Sequence, residues 1–274
     1  MTEVTTVVET LLRRERRIVL AGLLLITVLA WTWILTGSGT GMSALDMTTW
    51  RFPPPLHVGV VENWSISYAV VMFFMWWIMM IAMMTPSAAP LVLLYARAYR
   101  HEQRQGKLSG GTVPTFAFVL GYLLSWACFS LVATVLQWGL ERAGFLHQMW
   151  MWSINLYLTA ALLIAAGLYQ LTPVKLACLQ HCRSPAQYLA EHFQPGAQGA
   201  LRLGWKHGLY CLGCCWFLMA LLFAGGIMNI IWIAGLAIYV LIEKLAPQGQ
   251  LVARVAGFAM LLVGLWMAVW RYAA

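Results

Sequence analysis

The sequence predicts an all-α fold, a polytopic transmembrane helical bundle of about seven spans, and three observations lead there. Hydrophobic residues make up 62% of the 274 residues and charged residues only 9%, whereas charge normally accounts for about a quarter of a soluble domain. The few charges gather in short stretches between long apolar runs, the layout of a chain threaded through a bilayer. Many of the fifteen tryptophans stand near the ends of those runs, where an amphipathic ring suits the lipid interface.

A span takes about 20 apolar residues in a helix. The runs therefore place helices near 18–36, 66–86, 113–139, 152–171, 208–225, 227–244 and 251–271, within one membrane domain covering 1–274. The first run follows "LLRRERR" and begins like a signal peptide. Ile18 to Leu35 is nevertheless long enough to span, and no small-residue cleavage pattern follows, so a retained helix is expected. The second run ends in "MMTPSAAP", where Pro86 and Pro90 are expected to kink or stop it, giving a bent helix or a re-entrant corner. The stretch from Gly208 to Ile242 is too long for one span. "FAGGIMN" in its middle supplies a hairpin turn, and without that turn the count falls to six. Glu243 and Lys244 then fall at a span end, as interfacial residues, and Gln137, Gln170 and Asn229 are expected to hydrogen-bond between helices.

Loop basicity orients the chain. Arg13 to Arg17 carry four arginines before the first span, the 37–65 loop has Arg51 against Asp46 and Glu62, and the next loop carries Arg97, Arg100, Arg104 and Lys107. The 172–207 loop is again basic, with Lys175, Arg183, Arg202 and Lys206. The positive-inside rule then puts the N-terminus in the cytoplasm. The net charge of +8 belongs to these loops, and no nucleic-acid motif accompanies it. The chain also has no phosphate loop and no Ser/His/Asp set, so hydrolase and ATPase readings have little to rest on, and an enzyme is not the favoured reading.

Two constellations carry chemistry. "LACLQHCRSP" holds Cys178 and Cys182, and "YCLGCCW" holds Cys211, Cys214 and Cys215, on the same predicted side. On helices, Cys178 and Cys182 share a face, as do His207, Cys211, Cys215 and Met219 at steps of four. With His181, these thiols, imidazoles and a thioether form a soft donor set that suits Cu(I) first and zinc second. The cytoplasm keeps thiols reduced, which argues against structural disulfides. "VMFFMWWIMMIAMM" puts Met72, Met75, Met79 and Met83 on one helical face, with Met80 and Met84 beside it, a candidate relay for the ion. The bland reading of both features is packing, since free cysteine is a small hydrophobe and methionine fills irregular gaps. Cys128, alone in the third span, is read as packing.

The stretches "MMIAMMTPSAAPLVLLYAR", "GYLLSWACFS", "AAGLYQLTPVKLACLQHCRSP" and "GLYCLGCCWFLMALLFAGGIMNIIWIAGLAIYVLIEK" together resemble the DUF2182 family of predicted metal-binding integral membrane proteins. The resemblance covers about Phe73 to Lys244 and implies a multi-helix inner-membrane protein with a metal role. It maps the family's cysteine motifs onto Cys178, Cys182, Cys211, Cys214 and Cys215, and its methionine motif onto Met79, Met80, Met83 and Met84. The leading expectation is a membrane protein that handles or transports copper, partnered by the lipid bilayer and by a metallochaperone or larger complex. The first alternative is an accessory structural subunit of a larger membrane complex, such as a copper membrane monooxygenase or an electron-transfer assembly, because tryptophan and methionine are enriched where protein surfaces meet. A thiol redox protein using Cys211 and Cys214 is the third.

Overall fold

The computed structural model describes residues 2–54, 63–108 and 113–273, with side chains for residues 16–269 of these. Arg13, Arg14 and Glu62, used above for orientation, have side chains outside that set. The fold is an all-α bundle. In chain order its helices are α1 (Thr2–Leu35), α2 (Ile66–Arg104), α3 (Thr115–Arg142), α4 (Leu156–Gln170), α5 (Pro173–Arg183), α6 (Pro185–His192), α7 (Gly196–Ala220), α8 (Leu222–Gly225), α9 (Ile230–Leu245) and α10 (Gly249–Ala273). Among the described residues there is no strand, only an isolated bridge between Leu146 and Ser153.

Five helical stretches are long and apolar enough to cross a membrane: Arg16–Leu35, Ile66–Arg104, Thr115–Arg142, Gly196–Gly225 and Gly249–Val269. The other two expected spans take a different form. α4 is bent by 65° against α5, so the pair is a broken span or a re-entrant element. The break lies at Leu171–Thr172, where the Thr172 side chain caps α5 and Pro173 occupies its first turn. α9 has 16 residues, about 24 Å of helix, short of the ~30 Å hydrocarbon core. The turn expected in "FAGGIMN" is present. α8 ends at Gly226, whose φ of +108° suits glycine, and Asn229 caps α9 by accepting from Ile231 N.

α2 does not stop at its prolines and runs to Arg104 with Pro86 and Pro90 inside it. Each proline withdraws a donor from the helical ladder. In the same stretch the Met84 carbonyl accepts from Ser87 Oγ (2.9 Å) and from Tyr122 OH of α3 (3.2 Å).

Cross-helix contacts fix the directions. Trp64 meets Glu141, Met72 meets Gln137 and Tyr122 meets Met84, so α2 and α3 are antiparallel. α3 and α7 run parallel and very close. The Cα of Gly204 faces Phe118 O, that of Gly121 faces Leu201 O, and that of Gly208 faces Ser125 Oγ, none with room for a Cβ. Gly167, Gly257 and Gly264 play the same part between α4 and α10. Small residues that let backbones approach are the usual means of packing helices in lipid. Large apolar side chains cover the outer faces, including Leu24 (67% exposed), Leu131 (58%) and Leu262 (69%).

Gln137 and Gln170 bond between helices as expected, to Trp76 and to Tyr239 OH, while Asn229 donates to Thr49 O in the loop after α1. Two readings are corrected. Glu243 and Lys244 are not interfacial but buried, at 0% and 5% exposure, because short α9 ends inside the bundle. Cys128 is not core packing, since it faces outward from α3.

Candidate metal centre

The two cysteine motifs meet. Bent α5 lies against α7, so that Cys178 Sγ packs over the bare Cα of Gly213, within the second motif. A Cβ at residue 213 would sit 2.9 Å from that sulfur, so the Cys178 thiol would have to turn away. One turn on, the Cys182 thiol interacts with those of Cys211 and Cys214, and Cys215 interacts with the same two. Cys211, Cys214 and Cys215 are fully buried, and all six cysteines of the chain are free thiols.

The methionine face of α2 forms the adjoining wall. Met72, Met75, Met79, Met80, Met83 and Met84 are all buried in the same apolar core as the three α7 thiols. Met84 Sδ lies 3.9 Å from Cys215 Sγ. From there to Met72 the column runs twelve residues, about 18 Å along the helix. Met219 is buried one turn beyond Cys215. Trp76 and Trp77 make helix contacts, donating to Gln137 Oε1 (2.8 Å) and Leu123 O (3.0 Å).

The histidines divide. His207 is buried one turn before Cys211, stacked on Tyr122 with ring centroids 5.8 Å apart, and its Nδ1 has no hydrogen-bond partner among the described residues. His181 turns back along α5, with its Nδ1 2.9 Å from Ala177 O and its ring stacked on Tyr210 at 4.2 Å.

Several polar groups at the cluster were not expected there from the sequence. Lys244 Nζ is 2.9 Å from Cys211 Sγ and 3.3 Å from Ser87 Oγ. Tyr122 OH is 3.1 Å from the same sulfur. Behind them Lys175 and Glu243 form a fully buried ion pair at 2.6 Å, and Arg183 reaches across to the carbonyls of Glu243 (2.9 Å) and Pro247 (2.6 Å). These contacts fasten α5 to the end of α9. The available signal was "EK" closing an apolar run, since ionisable groups at such positions tend to face the bundle interior when functional.

As placed, no three His, Cys, Asp or Glu side chains among the described residues converge on a point that could hold a metal. The reason is visible in the thiols: Cys214 and Cys215 both turn back to Cys211 O, at 3.0 and 2.9 Å, and Cys211 faces Lys244 and Tyr122. Sulfur donors are nevertheless gathered densely, with four thiols and a thioether in one contact set of soft chemistry.

The family model described as PpoB2, copper chaperone, matches residues 73–267. The chain belongs to this copper chaperone family. The matched region runs from within α2 to α10 and contains all six cysteines, with Tyr122, Lys175, Glu243 and Lys244 beside them. The comparison with curated proteins gives no match, and neither does that with solved structures. Membership makes the function copper-related, and the DUF2182 assignment stays a resemblance.

Proposed function

We propose that the protein is a multi-pass chaperone of the bacterial inner membrane, its N-terminus in the cytoplasm, that takes Cu(I) as cargo between α5 and α7. The observation that carries the reading is the meeting of Cys182 with Cys211 and Cys214 next to Met84. Two cysteine motifs about 30 residues apart bring their sulfurs together beside a thioether, a grouping that suits a soft ion. Cu(I) is soft and monovalent, and thiolate and thioether sulfur are the donors it favours. Cys182, Cys211, Cys214 and Cys215 are the primary ligands in this reading. Met84 and His207 stand beside them as auxiliary donors, while Cys178, His181 and Met219 flank the set.

Loading turns the thiols of Cys214 and Cys215 from the Cys211 carbonyl toward the ion, a rotation about χ1 that leaves the helix intact. A copper ion held by two thiolates carries one negative charge, and the Lys244 ammonium beside Cys211 can balance it inside a low-dielectric bundle. Met84, Met83, Met79, Met75 and Met72 then offer successive thioethers along α2, so ligand exchange between sulfurs moves the ion without hydrolysis of any cofactor. A chaperone hands its cargo on, which makes a metallochaperone or a larger membrane complex the expected partner.

Elemental analysis of protein purified in mild detergent, after anaerobic reconstitution with Cu(I), tests the site. Wild-type protein is expected to retain copper, and a variant with Cys211, Cys214 and Cys215 changed to serine is expected to lose it. Equal copper in both would remove the thiol cluster from the account.

A further inference from the structure

The methionine column has two ends, and the far one is also built around an anion. Glu141, in the last turn of α3, is 2% exposed. Its Oε2 accepts from Trp64 Nε1 at 2.8 Å and its Oε1 from Gln137 Nε2 at 2.8 Å. Both donors are neutral. The adjacent cation, Arg142, turns instead over the Trp138 ring, 5.7 Å from its centroid. Among the described residues Glu141 is seen with these neutral donors only, and a carboxyl group buried so is costly and tends to be kept for a purpose, most of all at membrane depth.

The Gln137 amide is the telling group. Its Nε2 points at once to Glu141 Oε1 and to Met72 Sδ, the latter at 3.5 Å. Its Oε1 is held in that orientation by Trp76 Nε1 at 2.8 Å. A thioether is a poor hydrogen-bond acceptor but a good ligand for a soft cation. The amide nitrogen therefore occupies a place lined by one carboxylate oxygen and one thioether sulfur, with Met75 the next sulfur along the face. Trp64, packed edge-on against Tyr68 at 4.9 Å, closes the outer side.

We infer a second cation station here: Glu141 and Met72 take a Cu(I) ion at the end of α2 opposite the thiol cluster, with Gln137 as the group that holds the place and swings aside. Charge explains why such a station is needed. The thioethers between are neutral, so a monovalent ion on the column is uncompensated until it reaches an anion. The thiols supply one end and Glu141 the other. The inference rests on the copper reading above, because it makes Glu141 the point where cargo leaves or enters the column.

The test is a Cu(I) titration of the full-length protein in detergent, anaerobic, in competition with the chelator bicinchoninate. Wild-type protein is expected to show a tight class of site and a weaker second one. Glu141→Gln and Met72→Leu, both near-isosteric, are each expected to weaken the second class by about tenfold or more, with the tight class unchanged. The variant with Cys211, Cys214 and Cys215 changed to serine is expected to do the reverse. A single class in wild-type protein, or a second class unmoved by both Glu141→Gln and Met72→Leu, overturns the station. A tight class that survives the serine variant would instead contradict the thiol site, so the two failures read differently. Should Glu141→Gln not yield monodisperse protein, Met72→Leu decides alone.

Discussion

At the scale of the residue, the decisive feature is how many charges this bundle buries beside its sulfurs. Lys175, Glu243 and Lys244 all lie within an apolar interior, the first two paired at 2.6 Å and the third against Cys211. Removing one partner of a buried pair leaves the other uncompensated, at a cost of about 3–5 kcal/mol, whereas replacing both with apolar groups of similar size can be neutral. Glu243→Gln is therefore expected to lower the thermal unfolding temperature in detergent clearly, and the double change Lys175→Met with Glu243→Leu to restore most of it. Scanning fluorimetry across the set checks this. Equal melting of wild type and Glu243→Gln would mean that the pair does not fasten α5 to α9. This layer was barely legible in the sequence. "EK" at the end of an apolar run reads as a helix meeting the interface, and only the shortness of α9 carries both residues inward. Glu141 was hidden the same way, as a charge closing a predicted span. The cysteines were legible, because three thiols in five residues on a lipid-like helix need a cause. Their contact with Cys182 was not, since it depends on the bend between α4 and α5.

At the scale of the element, bare glycine faces set the spacing that the site needs. α3 and α7 touch through Gly121, Gly204 and Gly208, and this closeness lets Tyr122 reach Cys211. Gly204→Val would force a side chain into the Phe118 carbonyl, an overpacking that costs about 1–3 kcal/mol, and would part the helices about two to three turns from the thiols. The expected outcome is lower thermal stability together with reduced copper retention. Gly235→Ala, on the exposed side of α9 with nothing within 4 Å of its Cβ, is the counterpart and should be neutral or slightly stabilising. Comparing unfolding temperature and bound copper for the two variants separates close packing from loss of glycine as such. The helices themselves were readable from hydropathy, and the α8–α9 turn from its glycines and asparagine. The continuation of α2 through Pro86 and Pro90 was not, because a proline reads locally as a helix breaker and packing in the bundle overrides it.

At the scale of the whole molecule, the antiparallel α2–α3 pair lines up a methionine column with acidic or thiol groups at either end, inside a bundle whose outer faces expose leucines. Composition alone announced the lipid-facing exterior. The alignment of the column with the thiols at Met84, and with Gln137 and Glu141 at Met72, came from tertiary packing that no periodicity encodes. The copper chaperone family match, residues 73–267, covers the thiols, Gln137, Glu141 and the column from Met75 to Met84.

The central claim is that α5 and α7 together hold one Cu(I) ion. The measurement that tests it most directly is the Cu(I) affinity of Cys182→Ser beside that of Cys128→Ser, by chelator competition on detergent-purified protein. Cys182 lies on α5 in contact with the α7 thiols, whereas Cys128 faces outward from α3. The account predicts a loss of about tenfold or more for Cys182→Ser and wild-type affinity for Cys128→Ser. Unchanged affinity in Cys182→Ser, with the α7 thiols intact, would contradict it.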